Sequence, residues 1–193
     1  MKRKVDLKKM PLWRKLDIVI GLLRRLVVCP QRTKFDLSIV QPKASFRVNN
    51  GTLKLGRFSE FHRGSILWVM GMDEHATFKM GRRSSIGFNS VVSVKHSVTI
   101  GDECAISWNC TIIDNDMHQI HELPENVKTS TKKNEVVIGN HVWVGAGVMI
   151  LKGVTIGDNC VIAAGSIVTR DIPPNTLAAG VPAKPVREIE GWS

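Results

Sequence analysis

Near the C-terminal end of the chain, six branched aliphatic residues follow one another at intervals of six positions. They are Ile138, Val144, Ile150, Ile156, Ile162 and Val168. An α-helix would spread residues with this period around its surface, and a hairpin sheet would show simple alternation broken by Asn-Gly or Asp-Gly turns. A strict hexad predicts instead a β-solenoid, in which corners join short strands and one aliphatic side chain per hexad points into a common core.

Each hexad has a second regular position, two residues before the aliphatic one, where a small or compact side chain stands. It is occupied by Val136, Val142, Val148, Val154, Cys160 and Ser166. Because alternate residues of a strand share one face, both positions of the hexad are expected to point inward. The pattern recurs upstream in shifted blocks built on Leu55, Phe61 and Leu67, on Met80, Ile86 and Val92, and on Ile100, Ile106 and Ile112. The sequence thus predicts an all-β solenoid domain over residues 35–190.

Three of the four cysteines are explained by this pattern. Cys104, Cys110 and Cys160 each occupy the small inward position of a hexad, so we expect reduced core residues. Cys29 lies outside the solenoid, and no CxxC pair occurs. This usage is typical of a reducing cytoplasm and argues against a disulfide framework.

The positive charge of the chain is concentrated at its N-terminal end. Residues 1–34 contain eleven Lys and Arg against two Asp, whereas the formal net charge of the whole chain is +10. The remainder is almost neutral, so a basic stripe for nucleic acid is not expected along the solenoid. We interpret residues 1–34 as a basic amphipathic helical appendage.

Within this appendage, apolar residues from 11 to 28 share one helical face and basic residues share the other. One interpretation is a helix that lies on the anionic inner face of a membrane, which would add peripheral membrane contact to a cytoplasmic protein. The other is a helix that packs on the end of the solenoid or on a neighbouring subunit. A secretory signal is a weaker third option, because charges recur through the apolar stretch.

One interruption of the hexads is too long to be a corner. The step from Ile112 to Ile138 is 26 residues, and the polar segment of about 114–135 is predicted to be extruded as a loop. It opens with Asp114, Asp116, His118 and His121. An imidazole can take a proton from a hydroxyl near neutral pH, and a neighbouring carboxylate can orient it. Asp116 and Asp114 are both candidates for that role, and a merely solvated loop is the alternative.

The remaining histidines carry weaker signals. His62, His75, His96 and His141 fall at outward or corner positions of the hexads, where we expect surface residues. His141 is near enough to the loop exit to support the site indirectly. His121 is an alternative base within the loop.

The sequence from His118 to the C-terminus resembles the hexapeptide-repeat, left-handed parallel β-helix acyltransferases. The similarity is greatest to galactoside, maltose and Nod-factor acetyltransferases and to O-acetyltransferases of surface polysaccharides. It is carried by DNDMH, by IGNHVWVGAGVMILKGVTIGDNCVIAAGSIVTRDIPPN and by AAGVPAKPVREI, and with the upstream hexads it covers about residues 50–190. The resemblance implies left-handed coils, acetyl-CoA as acyl donor with no metal required, and a homotrimer with active sites between subunits.

The resemblance also implies roles for individual residues. His118 matches the general base, with Asp116 beside it, and Asn109 matches an asparagine that holds the acceptor, for which Asp114 is a further candidate. The implied acyl-CoA residues are Trp143, Gly145, Ala146, Ala164, Thr169, Arg170, Lys184 and Arg187. Basic groups in the tail suit the phosphates of a polyanionic cofactor. Lys184 stands where some relatives carry Arg, so a bidentate contact there is not implied.

Two other functions remain open at this point. The same solenoid supports γ-type carbonic anhydrases, in which histidines of two chains bind zinc. The VPAKPVREI tail and the lack of a matching His pair in the coils argue against that function. A scaffold with an inactive site is the other alternative. The acceptor is a small molecule or a glycan, and a hydroxyl of a sugar or surface-polysaccharide precursor is our expectation.

Overall fold

The computed structural model describes residues 34–35, 38–72, 74–118 and 134–193. These residues form a three-sided parallel β-solenoid, and each of its six coils contributes one strand to each of three sheets. The all-β fold class predicted from the hexads is confirmed. The helix predicted over 11–28, with most of the 1–34 appendage, lies outside the described residues, as do residues 119–133 of the loop.

The strands follow one another around the solenoid from sheet 1 to sheet 2 to sheet 3. Sheet 1 contains β1 (Lys34–Phe35), β4 (Gly51–Leu55), β7 (Ala76–Met80), β10 (Ser97–Ile100), β13 (Val136–Ile138) and β16 (Thr155–Ile156). Sheet 2 contains β2 (Ile39–Val40), β5 (Glu60–Phe61), β8 (Ser85–Ile86), β11 (Ala105–Ile106), β14 (Trp143–Val144), β17 (Val161–Ile162), β19 (Thr176–Gly180) and β20 (Ala183–Glu188). Sheet 3 contains β3 (Ser45–Asn49), β6 (Ile66–Met70), β9 (Val91–Val94), β12 (Thr111–Ile113), β15 (Met149–Ile150) and β18 (Ile167–Val168).

The inward residues of successive coils stack directly on one another. In sheet 1, for example, Ile138 lies between Ile100 and Ile156 in parallel register. The second inward positions are buried as well, and Cys104, Cys110 and Cys160 are free thiols in the core. Burial removes the branched side chains from water, which stabilises the solenoid by roughly 1.5–3 kcal/mol for each fully buried residue. Both inward positions of the hexad are therefore as predicted.

Two of the three edges of the prism are regular. We name an edge by the sheets it joins, so edge 1–2 follows sheet 1 and edge 2–3 follows sheet 2. From Leu55 onward, the step between stacked inward residues is six at every coil of both edges, as from Ile100 to Ile106 and from Ile106 to Ile112. These edges are tight, because a Cβ atom added at Gly145 would lie 2.6 Å from the backbone nitrogen of Ala164 in the next coil.

The third edge, edge 3–1, is irregular. From Leu67 to Met80 the step is 13 residues, and from Val92 to Ile100 it is eight. The described ends of the segment of about 114–135, residues 114–118 and 134–135, lie on the same edge in the next coil. Insertions therefore interrupt this edge at successive coils.

The C-terminal tail returns along sheet 2. Strand β20 pairs with β19 in the antiparallel direction, and Trp192 then stacks on His141 with ring centroids 4.8 Å apart. The Trp192 indole N–H donates a hydrogen bond of 2.8 Å to the carbonyl oxygen of His141. Among the described residues there is no helix able to cross a bilayer.

Candidate active site

The insertions of edge 3–1 enclose a cavity of about 480 Å³. Its walls come from four consecutive coils: Glu74 from the first insertion, Lys95 and His96 from the second, residues 115–118 from the extruded loop, and Lys152 from the coil beyond. His118 and Asp116, the predicted catalytic pair, both line it. The topology thus brings distant parts of the sequence together at this edge.

Asp114 anchors the loop to the coil before it. Its side chain is fully buried, and its two carboxylate oxygens accept hydrogen bonds of 2.8 Å from the backbone N–H groups of Lys95 and His96. A charged acceptor that satisfies two backbone donors forms strong hydrogen bonds and fixes both segments. Asp114 therefore lies behind the cavity wall, and its described contacts are those of a positioning residue. A contact between Asp114 and the acceptor remains a prediction.

A short turn carries the chain from Asp114 to His118. The buried Asn115 donates from Nδ2 to Asp114 at 3.0 Å, and its Oδ1 accepts the Met117 N–H at 3.2 Å. Met117 has a φ of 63°, in the left-handed region. Asn115 thus holds the turn from within and leaves the His118 side chain exposed on the cavity wall.

Asp116 pairs with a cation rather than with an imidazole among the described residues. Its Oδ2 accepts a hydrogen bond from Nζ of Lys152, and both side chains are partly exposed. Lys152 belongs to the following coil, so this ion pair ties the loop forward as Asp114 ties it backward. The orientation of His118 by Asp116 therefore stays a prediction.

A second imidazole lines the cavity. Nε2 of His96 lies 3.2 Å from Nδ2 of Asn134, and the backbone of His96 is held by Asp114. The hexad pattern assigned His96 to the surface, and the side chain is indeed partly exposed. Its place in the cavity was missed, although the eight-residue step before Ile100 puts His96 on the same edge as the extruded loop.

Asn109, the predicted acceptor residue, lies on a different edge. It occupies the corner between β11 and β12 with a φ of 57°. Its backbone N–H donates a hydrogen bond of 2.9 Å to the carbonyl oxygen of Phe88. The intervening strand separates this corner from Asp114 by about 16 Å at 3.3 Å per residue. Within one chain, Asn109 therefore lies away from the His118 cavity.

Four of the predicted acyl-CoA residues lie together on sheet 2 and edge 2–3. Trp143 points outward from β14, is 43% exposed, and its Nε1 donates to Oγ of Ser107 at 3.3 Å. Gly145 is buried against Ala164, and the carbonyl of Ala146 accepts the N–H of Gly165 at 2.8 Å. Edge 2–3 therefore carries small residues beside an exposed indole.

The other four lie further towards the C-terminal end. Thr169 and the exposed Arg170 follow β18 on edge 3–1. Lys184 and Arg187 are exposed on β20, opposite Ala179 and Leu177 of β19. The tail hairpin thus extends sheet 2 with two cations. Within one chain, Thr169 and Arg170 share edge 3–1 with the His118 cavity, whereas the other six residues lie on sheet 2 or edge 2–3.

The protein-family comparisons match both halves of the solenoid. Residues 135–170 match the family described as bacterial transferase hexapeptide (six repeats), and residues 79–113 match the hexapeptide repeat of succinyl-transferase. Galactoside O-acetyltransferase of Escherichia coli (strain K12) is 47% identical over 110 residues, which are 57% of this chain and 53% of that protein. A putative acetyltransferase of Schizosaccharomyces pombe is 40% identical over 112 residues, or 54% of its length. The chain spans about half the length of these curated relatives.

Solved structures show the same fold over most of the chain. The polySia specific acetyltransferase NeuO is 27% identical with a TM-score of 0.63, and the match covers 83% of this chain and 88% of NeuO. A mutant of AntD, an N-acyltransferase from Bacillus cereus solved with dTDP and coenzyme A, has a TM-score of 0.68 at 18% identity, over 88% of this chain and 89% of AntD. At that identity the AntD match shows the fold alone.

The stacked hexads, the three parallel sheets and the matching repeat segments define a hexapeptide-repeat β-solenoid protein. Residues 79–113 and 135–170 are similar to hexapeptide-repeat transferase families, as the resemblance of the motifs indicated. Over 110 residues the chain is similar to galactoside O-acetyltransferase.

Proposed function

We propose that this protein is an acetyl-CoA-dependent O-acetyltransferase that acts on a hydroxyl of a sugar or polysaccharide precursor. The observation that supports this most strongly is the cavity of edge 3–1, in which the loop histidine His118 is displayed by a turn anchored at both sides. The similarity to galactoside O-acetyltransferase and to NeuO supports the acetyl group and the sugar acceptor. The similarity to acetyltransferases also supports an acyl-CoA donor.

The proposed reaction is a direct transfer. The neutral His118 imidazole takes the proton of the acceptor hydroxyl as its oxygen attacks the thioester carbonyl of acetyl-CoA. The carbon–sulfur bond then breaks, and the imidazolium returns the proton to the CoA thiolate. The products are an acetyl ester and free CoA, so the proton and the electron pairs balance without a metal.

The separation of the two predicted parts of the site supports a site shared between subunits. The His118 cavity lies on edge 3–1, whereas Trp143, Gly145, Ala146 and Ala164 lie on sheet 2 and edge 2–3 of the same chain. In a cyclic trimer, edge 3–1 of one chain would face edge 2–3 of the next, and Asn109 would come from that neighbour as well. Three equivalent sites would result, each with the base from one chain and the donor-binding residues from another.

Release of CoA from acetyl-CoA, followed with a thiol reagent across a panel of sugar acceptors, tests this function. Replacement of His118 by Ala should lower turnover by about 10²- to 10⁴-fold, because general-base catalysis contributes that much. His96→Ala is the matched variant, since His96 lines the same cavity, and it should retain much more activity. Unchanged turnover in His118→Ala would contradict the mechanism, and a larger loss in His96→Ala would transfer the role of base to His96.

A further inference from the structure

Charge is distributed unevenly along the solenoid. Residues 38–96 contain nine Lys and Arg against three Asp and Glu, whereas residues 97–193 contain seven against eleven. The near neutrality of the solenoid as a whole therefore hides a basic first half and an acidic second half. A surface potential of this kind attracts anionic partners to one end of the molecule.

Two lysines mark the basic half on the outer face of sheet 1. Lys54 and Lys79 are neighbours in the parallel register of β4 and β7, and both side chains are exposed. Adjacent strands lie about 4.8 Å apart, so the two like charges repel each other. Neither ammonium group has an ion-pair partner within the part of the chain that the structure describes.

A groove runs beside these lysines along edge 1–2. It has a volume of about 820 Å³, and Gly56, Gly81 and Gly101 line it at three successive corners. At 4.8 Å per coil these corners span about 10 Å along the solenoid axis. The rest of the lining includes Lys54 and Lys79 and the apolar residues Leu55, Met80 and Ile100.

The one carboxylate that lines this groove is neutralised by a cation. Asp102 accepts hydrogen bonds from the backbone N–H of Arg82 at 2.7 Å and from its Nε at 2.9 Å. The hydrogen bond from the Arg82 side chain lowers the pKa of Asp102. Both groups therefore stay ionised, and their opposite charges cancel. Lys54 and Lys79 therefore give the groove a net positive charge.

The shape of this surface favours an extended chain over a bilayer. A membrane-bound face normally adds apolar side chains to its basic ones. The exposed large hydrophobic residues of the described chain all lie off sheet 1, on edge 3–1, edge 2–3, sheet 2 or sheet 3. A groove that crosses three coils, with two adjacent lysines among its lining residues, suits an extended polyanion whose successive carboxylates can meet both ammonium groups.

The groove also has a direct link to the candidate site. Oγ1 of Thr52, which lines the groove, lies 2.7 Å from Nε2 of His75, which follows Glu74 of the cavity wall. The two sites are separated by the width of sheet 1, about 16 Å for five residues of strand. A chain bound in the groove can therefore cross sheet 1 to the His118 cavity.

We propose that the acceptor is an acidic polysaccharide, and that the groove between Lys54, Lys79 and the glycine corners of edge 1–2 binds its carboxylates away from the reacting hydroxyl. This proposal rests on the proposed function and names its substrate class. Binding energy from a remote part of a substrate serves to position the reacting group.

Binding of fluorescein-labelled polygalacturonate to the full chain tests the groove without any catalysis. The double variant Lys54→Gln/Lys79→Gln should bind it roughly three- to tenfold more weakly, with a shallower salt dependence, as expected for the loss of two exposed ion pairs. The control Lys43→Gln/Arg63→Gln removes the same charge from exposed residues of edge 2–3 and should change binding less than twofold. Equal losses in both double variants would overturn the proposal, because they would show attraction by net charge alone.

Three further measurements separate this proposal from the proposed function. Neutral dextran should not bind, and tight binding of dextran would overturn the role of the carboxylates. If the wild-type chain bound phosphatidylglycerol vesicles more strongly than polygalacturonate, and Lys54→Gln/Lys79→Gln lost that binding, the groove would be a membrane-binding surface instead. CoA release with a neutral monosaccharide should be unchanged in this variant. Absence of CoA release from the wild-type chain with every acceptor tested, acidic and neutral, would contradict the acetyltransferase and leave the binding result standing.

Discussion

The three edges of the prism are built by the same coils, and yet two of them are regular and the third is not. Edges 1–2 and 2–3 repeat every six residues from Leu55 onward, so each corner repeats the one below it, and a groove runs along edge 1–2. Edge 3–1 carries insertions at successive coils and encloses a cavity. The comparison shows how one repeat can supply both kinds of surface: uniform edges suit an extended ligand, and stacked insertions create a pocket.

The two kinds of edge are also stabilised differently. A regular edge depends on close backbone approach, as at Gly145, and on residues that accept a positive φ, such as Asn109. Edge 3–1 depends on side chains that bridge coils, above all Asp114 with its two backbone donors. Substitutions should therefore damage the two edges by different physical routes.

The largest loss of stability is expected at Asp114. An Asn at this position has a single acceptor oxygen, so the N–H of Lys95 or of His96 would remain buried without a partner. We expect Asp114→Asn to lower the free energy of unfolding by about 1–3 kcal/mol, measured by urea denaturation, and to lower turnover with it.

Asp116→Asn is the matched control for that experiment. It removes a carboxylate from the same loop, but from an exposed ion pair with Lys152. Such pairs contribute about 0–1 kcal/mol, so the free energy of unfolding should change little. If Asp114→Asn were no more destabilising than Asp116→Asn, the buried carboxylate would not be the anchor of edge 3–1.

Gly145 tests the regular edge. In Gly145→Ala the new Cβ would meet the backbone of Ala164 at 2.6 Å, and the next coil would have to shift. We expect a cost of about 1–3 kcal/mol in thermal or urea unfolding. Under the proposed function, the KM for acetyl-CoA should rise as well.

Gly147→Asn is the control within the same corner. An added Cβ there would meet nothing within 4 Å, and Asn109 already occupies the equivalent corner of the coil before with a positive φ. The free energy of unfolding should change by less than about 0.5 kcal/mol. If Gly147→Asn lowered the free energy of unfolding strongly and Gly145→Ala did so only slightly, close backbone approach at Gly145 would not be what constrains edge 2–3.

The smallest effect concerns the core that all edges share. Burial raises the pKa of Cys104 to about 11 and raises the pKa of Cys110 and of Cys160 above 9.0. In a Cys29→Ser background, we expect no reaction with a disulfide reagent until the protein is denatured. Because the unfolded thiols ionise first, the free energy of unfolding should decrease as pH rises from about 9 towards 11, with little change below 9. Fast native labelling would contradict the inward placement of these thiols.

The sequence predicted what the hexad period controls. Ile138 and its equivalents located the strands, and the position of Cys104 within its hexad explained its burial, because both depend on local alternation. The 26-residue step after Ile112 located the candidate loop in the same way. These features follow from spacing along the chain, which the sequence displays directly.

The contacts between insertions could not be predicted in this way. The spacing of Asp114, Asp116 and His118 does not say which carboxylate turns inward, because that depends on the backbone N–H groups of Lys95 and His96 in another coil. Lys152 and Asn134 join the cavity for the same reason. Asn109 was grouped with His118 by resemblance, whereas one chain places the two on different edges.

Mixed assemblies test most directly whether the irregular edge of one chain works with the regular edge of another. His118→Ala removes the proposed base, and Ala164→Trp places a bulky side chain at the exposed position proposed to contact the donor, without entering the core. Each variant alone should be inactive. Mixed assemblies purified through two different tags should recover about a third of the wild-type turnover per site, because each mixed cyclic trimer contains one site built from two intact halves. If the purified mixed assemblies were no more active than the two variants alone, the site would lie within one chain and the account would be wrong.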